Sequence, residues 1–348
     1  MSNKKKILIV DDSKMIRKGL SEIFEASNDF EIVGQAADGK EALAAIRRTQ
    51  PDVVTLDVVM PEMDGLTTLK HIMIECPRPT VMLSSLTKDG SKTTFDALRY
   101  GAVDFISKPS KLEDDMDVGF LSEDITRKVN AAIEVNVAAT SYIRPLPDNA
   151  GHEDMSDLRC EKLIGFGAAE GGYGALMKII PGLRQAQAAY IAVHYIDEEH
   201  LDAFIDYLNE HSRIRVKRAE HDEVLQAGVC YLSSGSDYLT VHESGEDFVF
   251  HVNPAPFSTR RGSIDRLFFS IAEVMESQAV GVILSGAGVD GVEGLQEINR
   301  VGGTTIVQDS KTSLAKEMPK AAIATIKPGY IISDADVSAN LNRLLHSG

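Results

Sequence analysis

From Lys6 to Pro109 the chain alternates short apolar runs with amphipathic stretches. "ILIVDD" predicts a buried strand, and "SKMIRKGLSEIFEAS" sets Met15, Ile16, Leu20, Ile23 and Phe24 at helical spacing. "EIVGQA", "DVVTLDV", "PTVMLSS" and "DFISKP" read as further strands, with "GKEALAAIRRT", "DGLTTLKHIMIE" and "SKTTFDALRYG" as the helices between them. Strands that are apolar almost throughout are covered on both faces, which predicts a parallel sheet with helices on either side. The repeat therefore points to an α/β, flavodoxin-like domain with a five-stranded doubly wound sheet. Its first strand, "KKKILIV", is expected to enter at the sheet's edge.

The rhythm breaks between Leu112 and Arg159. "LSEDITRKVNAAIEVNVAA" fits the last helix of the first domain, and "SYIRPLPDNAGHEDMSDLRC", with two prolines and little periodicity, fits an exposed linker. The expected organisation is a first domain at 1–139, a linker at 140–159 and a second domain at 160–348. The second domain again alternates: "KLIGFG", "AYIAVHY", "AVGVILSG" and "TTIVQD" as strands, "GALMKIIPGL", "DEEHLDAFIDYLNEHS", "DRLFFSIAEVMES" and "GVEGLQEINRVG" as helices, and a final helix at the end. "VCYLSSG", "YLTVHES" and "FVFHVNP" read together as a hairpin insertion. This predicts a second doubly wound α/β domain with a β-hairpin.

A length of 348 residues suits about two domains, each with its own core. The formal net charge of −16 argues against nucleic-acid binding, because a phosphate backbone needs facing Lys and Arg. Three scattered cysteines, Cys76, Cys160 and Cys230, suggest neither a disulfide framework nor a zinc site, and fit a reducing cytoplasm. The apolar part of "MSNKKKILIVDDS" is too short for a signal peptide, and no run approaches the ~18 apolar residues of a membrane span.

Parallel α/β sheets bind ligands at the C-terminal ends of their strands. Asp11 and Asp12 follow the first strand and Asp57 ends the third, with Ser84 after the fourth and Lys108 after the fifth. Three like charges in one crevice repel each other, and a divalent cation preferring oxygen ligands, Mg²⁺ above all, relieves that repulsion. The set suits phosphoryl transfer onto Asp57. One such aspartate alone is more simply a helix cap; five residues at successive strand ends are not so explained. "ILIVDDS", "DVVTLDVVMPEMDG", "VMLSS" and "GAVDFISKP" resemble the receiver domain of two-component response regulators. The resemblance implies Asp57 as phosphoacceptor, Asp11, Asp12 and Asp57 as metal ligands, Ser84 and Phe105 as the switch pair, Lys108 as the phosphate-binding lysine, and a cognate histidine kinase as partner. It also implies that the receiver catalyses its own phosphorylation from a phosphodonor.

In the second half, His194 ends a strand, Asp290 lies in the glycine-rich "LSGAGVDGVEGL", and "GFGAAEGGYGAL" turns from a strand into a helix. A histidine, an acid and such a turn at strand ends are the parts of a nucleophile–base–orienter triad. "LIGFGAAEGGYGAL", "IAVHYI", "SIDRLFFSIA", "AVGVILSGAGVDGVEGL" and "MPKAAI" resemble, in order, the C-terminal domain of chemotaxis receptor methylesterases of the CheB type. With Gly171-Gly172 as anchor, the family's serine nucleophile falls on Ala169 and its neighbouring threonine on Glu170. His194 and Asp290 fall on the other triad positions, and the backbone amides of Glu170 and Ala287 on the oxyanion hole. Glu170, Tyr173 and Gly174 also depart from the family's pattern, which makes Ala169 part of a wider divergence. A methyl group cannot attack an ester, and a carboxylate at 170 opposes a developing oxyanion unless it points away.

The expectation is thus a catalytically inactive, cytoplasmic, phosphorylation-switched binding module for a chemoreceptor or another signalling protein, with neither nucleic acid nor membrane insertion involved. Two rivals stand beside it. The first is a dinucleotide site on "GFGAAEG", whose next acid, Asp197, comes too late for a ribose contact. The second is a methylesterase or glutamine deamidase in which His194, oriented by Asp290, activates water directly.

Overall fold

The structure is a computed structural model and describes residues 4–84, 88–108, 118–135, 137, 160–255 and 262–346. The expected linker 140–159 lies outside the described residues, as does Pro109. The chain divides into two compact units, Met1–Ile143 and Arg144–Gly348.

The first unit runs β1 (Lys5–Val10), α1 (Lys14–Ser27), β2 (Phe30–Ala36), α2 (Gly39–Thr49), β3 (Val53–Asp57), α3 (Gly65–Glu75), β4 (Thr80–Ser84), α4 (Lys88–Arg99), β5 (Asp104–Ser107) and α5 (Val118–Ile133). The five strands form one parallel sheet in the order β2-β1-β3-β4-β5. Strand β1 is not at the edge, as its lysines suggested. Its apolar Ile7–Val10 stretch is fully buried between β2 and β3, and the lysines lead into the strand. The chain reverses its direction of travel across the sheet between β1 and β3, so the crevice of this fold opens at the C-terminal ends of those two strands. Helices α1, α2 and α3 start where side chains of Ser13, Asp38 and Asp64 accept hydrogen bonds from the amides of Ile16, Glu41 and Thr67. Helix α5 stops at Ile133, short of the sequence-based limit at Ala139.

The second unit comprises β6 (Lys162–Ala168), α6 (Gly172–Ile179), β7 (Ala188–His194), α7 (Glu198–His211), β8 (Arg215–Arg218), β9 (Val229–Ser233), β10 (Asp237–Ser244), β11 (Asp247–Pro254), α8 (Ser263–Met275), β12 (Val280–Ile283), α9 (Val292–Arg300), β13 (Thr304–Gln308), α10 (Glu317–Thr325), β14 (Tyr330–Ile332) and α11 (Asp334–His346). Seven strands form a wholly parallel sheet in the order β14-β13-β12-β6-β7-β9-β8. The hairpin is only β10–β11; "VCYLSSG", expected within it, is β9, paired with β7 and β8 inside the main sheet. Here the reversal lies between β6 and β12, which brings the loops after these strands, 169–171 and 284–291, to one crevice. Helix α8 covers β6 with Ile264, Leu267, Phe268 and Ile271, all fully buried.

Cys160 and Cys230 are buried and Cys76, at the end of α3, is half-buried. Among the described residues no helix is long and apolar enough to cross a membrane.

Candidate functional site

The β1–β3 crevice gathers the acids. Asp57, the last residue of β3, and Asp11, just after β1, are buried, whereas Asp12 is exposed. One oxygen from each of the three lies within 4.8 Å of the others. The Lys108 ammonium, arriving from the end of β5, stands 2.8 Å from Asp11 Oδ2 and 2.6 Å from Asp57 Oδ2. Burial raises the Asp57 carboxyl above its usual range; the hydrogen bond from Lys108 opposes this and the nearby Asp11 charge adds to it. Burial acts on Lys108 in the opposite sense, but the hydrogen bonds and charges of the two carboxylates prevail and hold its pKa up. The Val59 amide donates to Asp57 Oδ1 at 3.2 Å. Gly65 makes the approach of α3 possible: a Cβ there would lie 1.9 Å from the carbonyl oxygen of Asp57.

Three carboxylates against one ammonium leave an excess of negative charge. An all-oxygen donor set with that excess fits a hard divalent cation such as Mg²⁺. Ser84 and Phe105 are both buried. The Ser84 hydroxyl is 2.7 Å from that of Thr94 on α4, Phe105 packs edge-on against Phe95, and Lys128 donates to the Phe105 carbonyl at 3.2 Å. Thr94 and Lys128 escaped the sequence reading because neither sits at a strand end.

In the second unit, Ala169 follows β6 directly and is 3% exposed, with its methyl in the apolar core. His194, at the end of β7, is 1% exposed. Its Nε2 is 3.0 Å from the carbonyl oxygen of Ala169. A carbonyl only accepts, so Nε2 carries the proton in this contact. Tyr173 stands edge-on to the imidazole at 4.5 Å between ring centres, with Phe204 behind it. The ring lies flush against Gly172, where a Cβ would meet Nε2 at 2.6 Å.

Asp290 does not meet His194. It accepts from the Tyr195 hydroxyl and the Ile264 amide (3.0 Å) through Oδ2, and from the Asp265 (3.2 Å) and Gly291 (3.0 Å) amides through Oδ1. Asp265 in turn accepts from the Gly294 amide at 2.7 Å. The starts of α8 and α9 thus exchange carboxylate caps. Burial pushes Asp265 up to about 7; the Gly294 amide opposes this and the Asp290 charge adds to it. Tyr195 is likewise pushed upward, by burial and then by Asp290.

Of the two amides expected at an oxyanion hole, that of Ala287 is engaged. It donates to the carboxylate of Glu170 at 2.9 Å, so this side chain does not point away. The crevice brings Ala169, Glu170, His194 and Ala287 together and separates Asp290 from the histidine.

Residues 7–117 match the family model of the response regulator receiver domain, and residues 164–341 that of the CheB methylesterase. The chain is 35% identical to a protein-glutamate methylesterase/protein-glutamine glutaminase of Pyrococcus horikoshii, over 95% of this chain and 91% of that one. It is 36% identical to the Nitrosomonas europaea protein of the same name, over 98% and 97% of the two chains. The crystal structure of the Thermotoga maritima CheB methylesterase catalytic domain is similar with a TM-score of 0.51 at 26% identity, covering 53% of this chain and 98% of that one. A receiver followed by this esterase-type domain, in relatives matched over nearly their whole length, places the chain in the CheB-type family of protein-glutamate methylesterases.

Proposed function

We propose that this chain is a chemotaxis-type response regulator whose methylesterase-type domain binds a partner without hydrolysing it. In this reading 1–139 is the receiver, 140–159 the linker and 160–348 the output domain. A histidine kinase or a small acyl phosphate delivers the phosphoryl group to Asp57. Asp11, Asp12 and Asp57 hold Mg²⁺, which supplies charge neutralisation at the phosphoryl oxygens when bound. Lys108 and Ser84 receive the remaining phosphoryl oxygens, and Phe105 with Ser84 carries the change outward.

The observation behind the inactive output is the pair Ala169 and His194. The side chain at the attacking position is a methyl, and the imidazole proton faces that residue's own carbonyl. Loss of a triad serine costs about a million-fold in turnover, whereas capture of a partner needs only affinity. The rival water-activating reading has less behind it, since Nε2 would have to accept a proton from water and Asp290 would have to orient the ring. Instead, Asp290 is spent on Tyr195 and helix amides.

Methanol release from methylated chemoreceptors tests the proposal. Release stays at background with and without an acyl phosphate and Mg²⁺, while the same receptor tails are retained on the immobilised protein. Sustained release by the native chain would overturn it.

A further inference from the structure

The loop after β12 has its amides covered by the chain's own carboxylates. The Ala287 amide donates to Glu170 Oε2 at 2.9 Å and the Gly288 amide to Glu317 Oε2 at 2.7 Å. The two acids come from different places, the β6–α6 turn and the first turn of α10. Successive amides facing anions form a small nest, a backbone device for binding negative charge. The framework around it is fixed. The buried Ser285 hydroxyl donates to the Glu170 carbonyl at 2.7 Å and accepts from the Ala315 amide at 2.8 Å, and the Met318 amide donates to the Gly286 carbonyl at 3.0 Å. The Glu170 backbone is therefore pinned beside the nest, and its side chain spans only the short gap to Ala287.

We infer that the Ala287 amide is a carboxylate-binding position that Glu170 fills in cis, beside the Gly288 amide that Glu317 covers. Its ligand class is a carboxylate side chain, and Glu170 is a tethered copy of one. The tether gives it an effective concentration of about millimolar or above, so a free carboxylate competes poorly while it is in place. The inference deepens the binding-module reading and rests on it for its consequence: a partner's glutamyl carbonyl is shut out of the Ala287 amide, and capture uses the surface around the crevice.

Acetate is the probe. Full-length protein labelled with ¹⁵N-alanine and ¹⁵N-glycine is titrated with sodium acetate against a sodium chloride control of equal ionic strength. In Glu170→Ala the Ala287 amide signal shifts with acetate, at an at least about tenfold lower concentration than in the wild type, while the Gly288 amide, still covered by Glu317, responds alike in both proteins. Glu170→Ser, whose side chain is too short to reach the Ala287 amide, serves if the alanine variant fails to fold. Absence of an acetate response at Ala287 in a folded variant, or an equal response there in the wild type, overturns the inference. Methanol release by the wild type would sink the binding-module reading and leave these shifts untouched, so the two failures are distinguishable.

Discussion

Tyr195, not His194, is the side chain that meets Asp290: the phenol hydroxyl donates to Asp290 Oδ2, and the same oxygen accepts from the Ile264 amide. The acid at the position expected for a triad thus has work that does not involve the histidine. It ties the end of β7 to the first turn of α8.

This makes Asp290 a stability residue. Asp290→Ala removes the acceptor for three amides and a phenol, and lowers stability by about 2 kcal/mol, or roughly 4–8 °C in thermal midpoint. Asp290→Asn, which keeps the Oδ1 acceptor, loses less. Thermal denaturation of the full chain decides: an alanine variant that melts with the wild type would show the caps to be idle.

The neighbouring acid gives stability a pH dependence. Asp265 titrates near 3.8 when unfolded and is pushed up to about 7 in the fold, chiefly by burial. The folded state therefore binds this proton more tightly. The resulting stabilisation is complete below about 3.8 and is lost as pH rises through about 7. Asp265→Asn cannot ionise and still accepts from the Gly294 amide. Its melting temperature gains on the wild type as pH climbs from about 5 to 8. Parallel curves across that range would contradict the assignment.

In the receiver, an acyl phosphate with Mg²⁺ adds one phosphoryl group, read as a mass shift that Asp57→Asn or a chelator abolishes. Gly65→Ala should slow this labelling by about a hundredfold, because its Cβ displaces the Asp57 backbone that positions the carboxylate. Labelling of the asparagine variant at the wild-type rate would move the phosphoacceptor elsewhere.

Restoring the nucleophile is not enough. In Ala169→Ser the new hydroxyl still faces an oxyanion amide filled by Glu170, and methanol release stays close to background. Adding Glu170→Thr vacates that amide and raises release by about a hundredfold or more over the single variant. Equal rates in the single and double variants would acquit Glu170.

Much of this architecture was legible from residue pattern. Buried strands such as Ile7–Val10 and Tyr190–Val193 announce themselves as unbroken apolar runs, and the acids at their ends follow from strand direction. What escaped was short, polar or decided by packing. Strand β8 is "RVKR", β14 is three partly exposed residues, and α10 went unread between them. Strand β9 reads together with β10 and β11 as one hairpin insertion, and only its pairing with β7 reveals its place. The turn of Ser84 toward Thr94, and the choice of Tyr195 over His194 by Asp290, depend on rotamers and on which of two adjacent side chains faces the loop. A pattern of residue types does not carry either.

The cysteine distribution has a practical consequence. Burial pushes the Cys160 thiol up to about 12 and also raises that of the enclosed Cys230, so both stay protonated and shielded. Burial raises the Cys76 thiol as well, but this residue, half-buried at the end of α3, is the cysteine with surface left for a maleimide to reach in the folded protein. A fluorophore or spin label therefore attaches at one defined point of the first unit in the natural sequence, without any engineered handle.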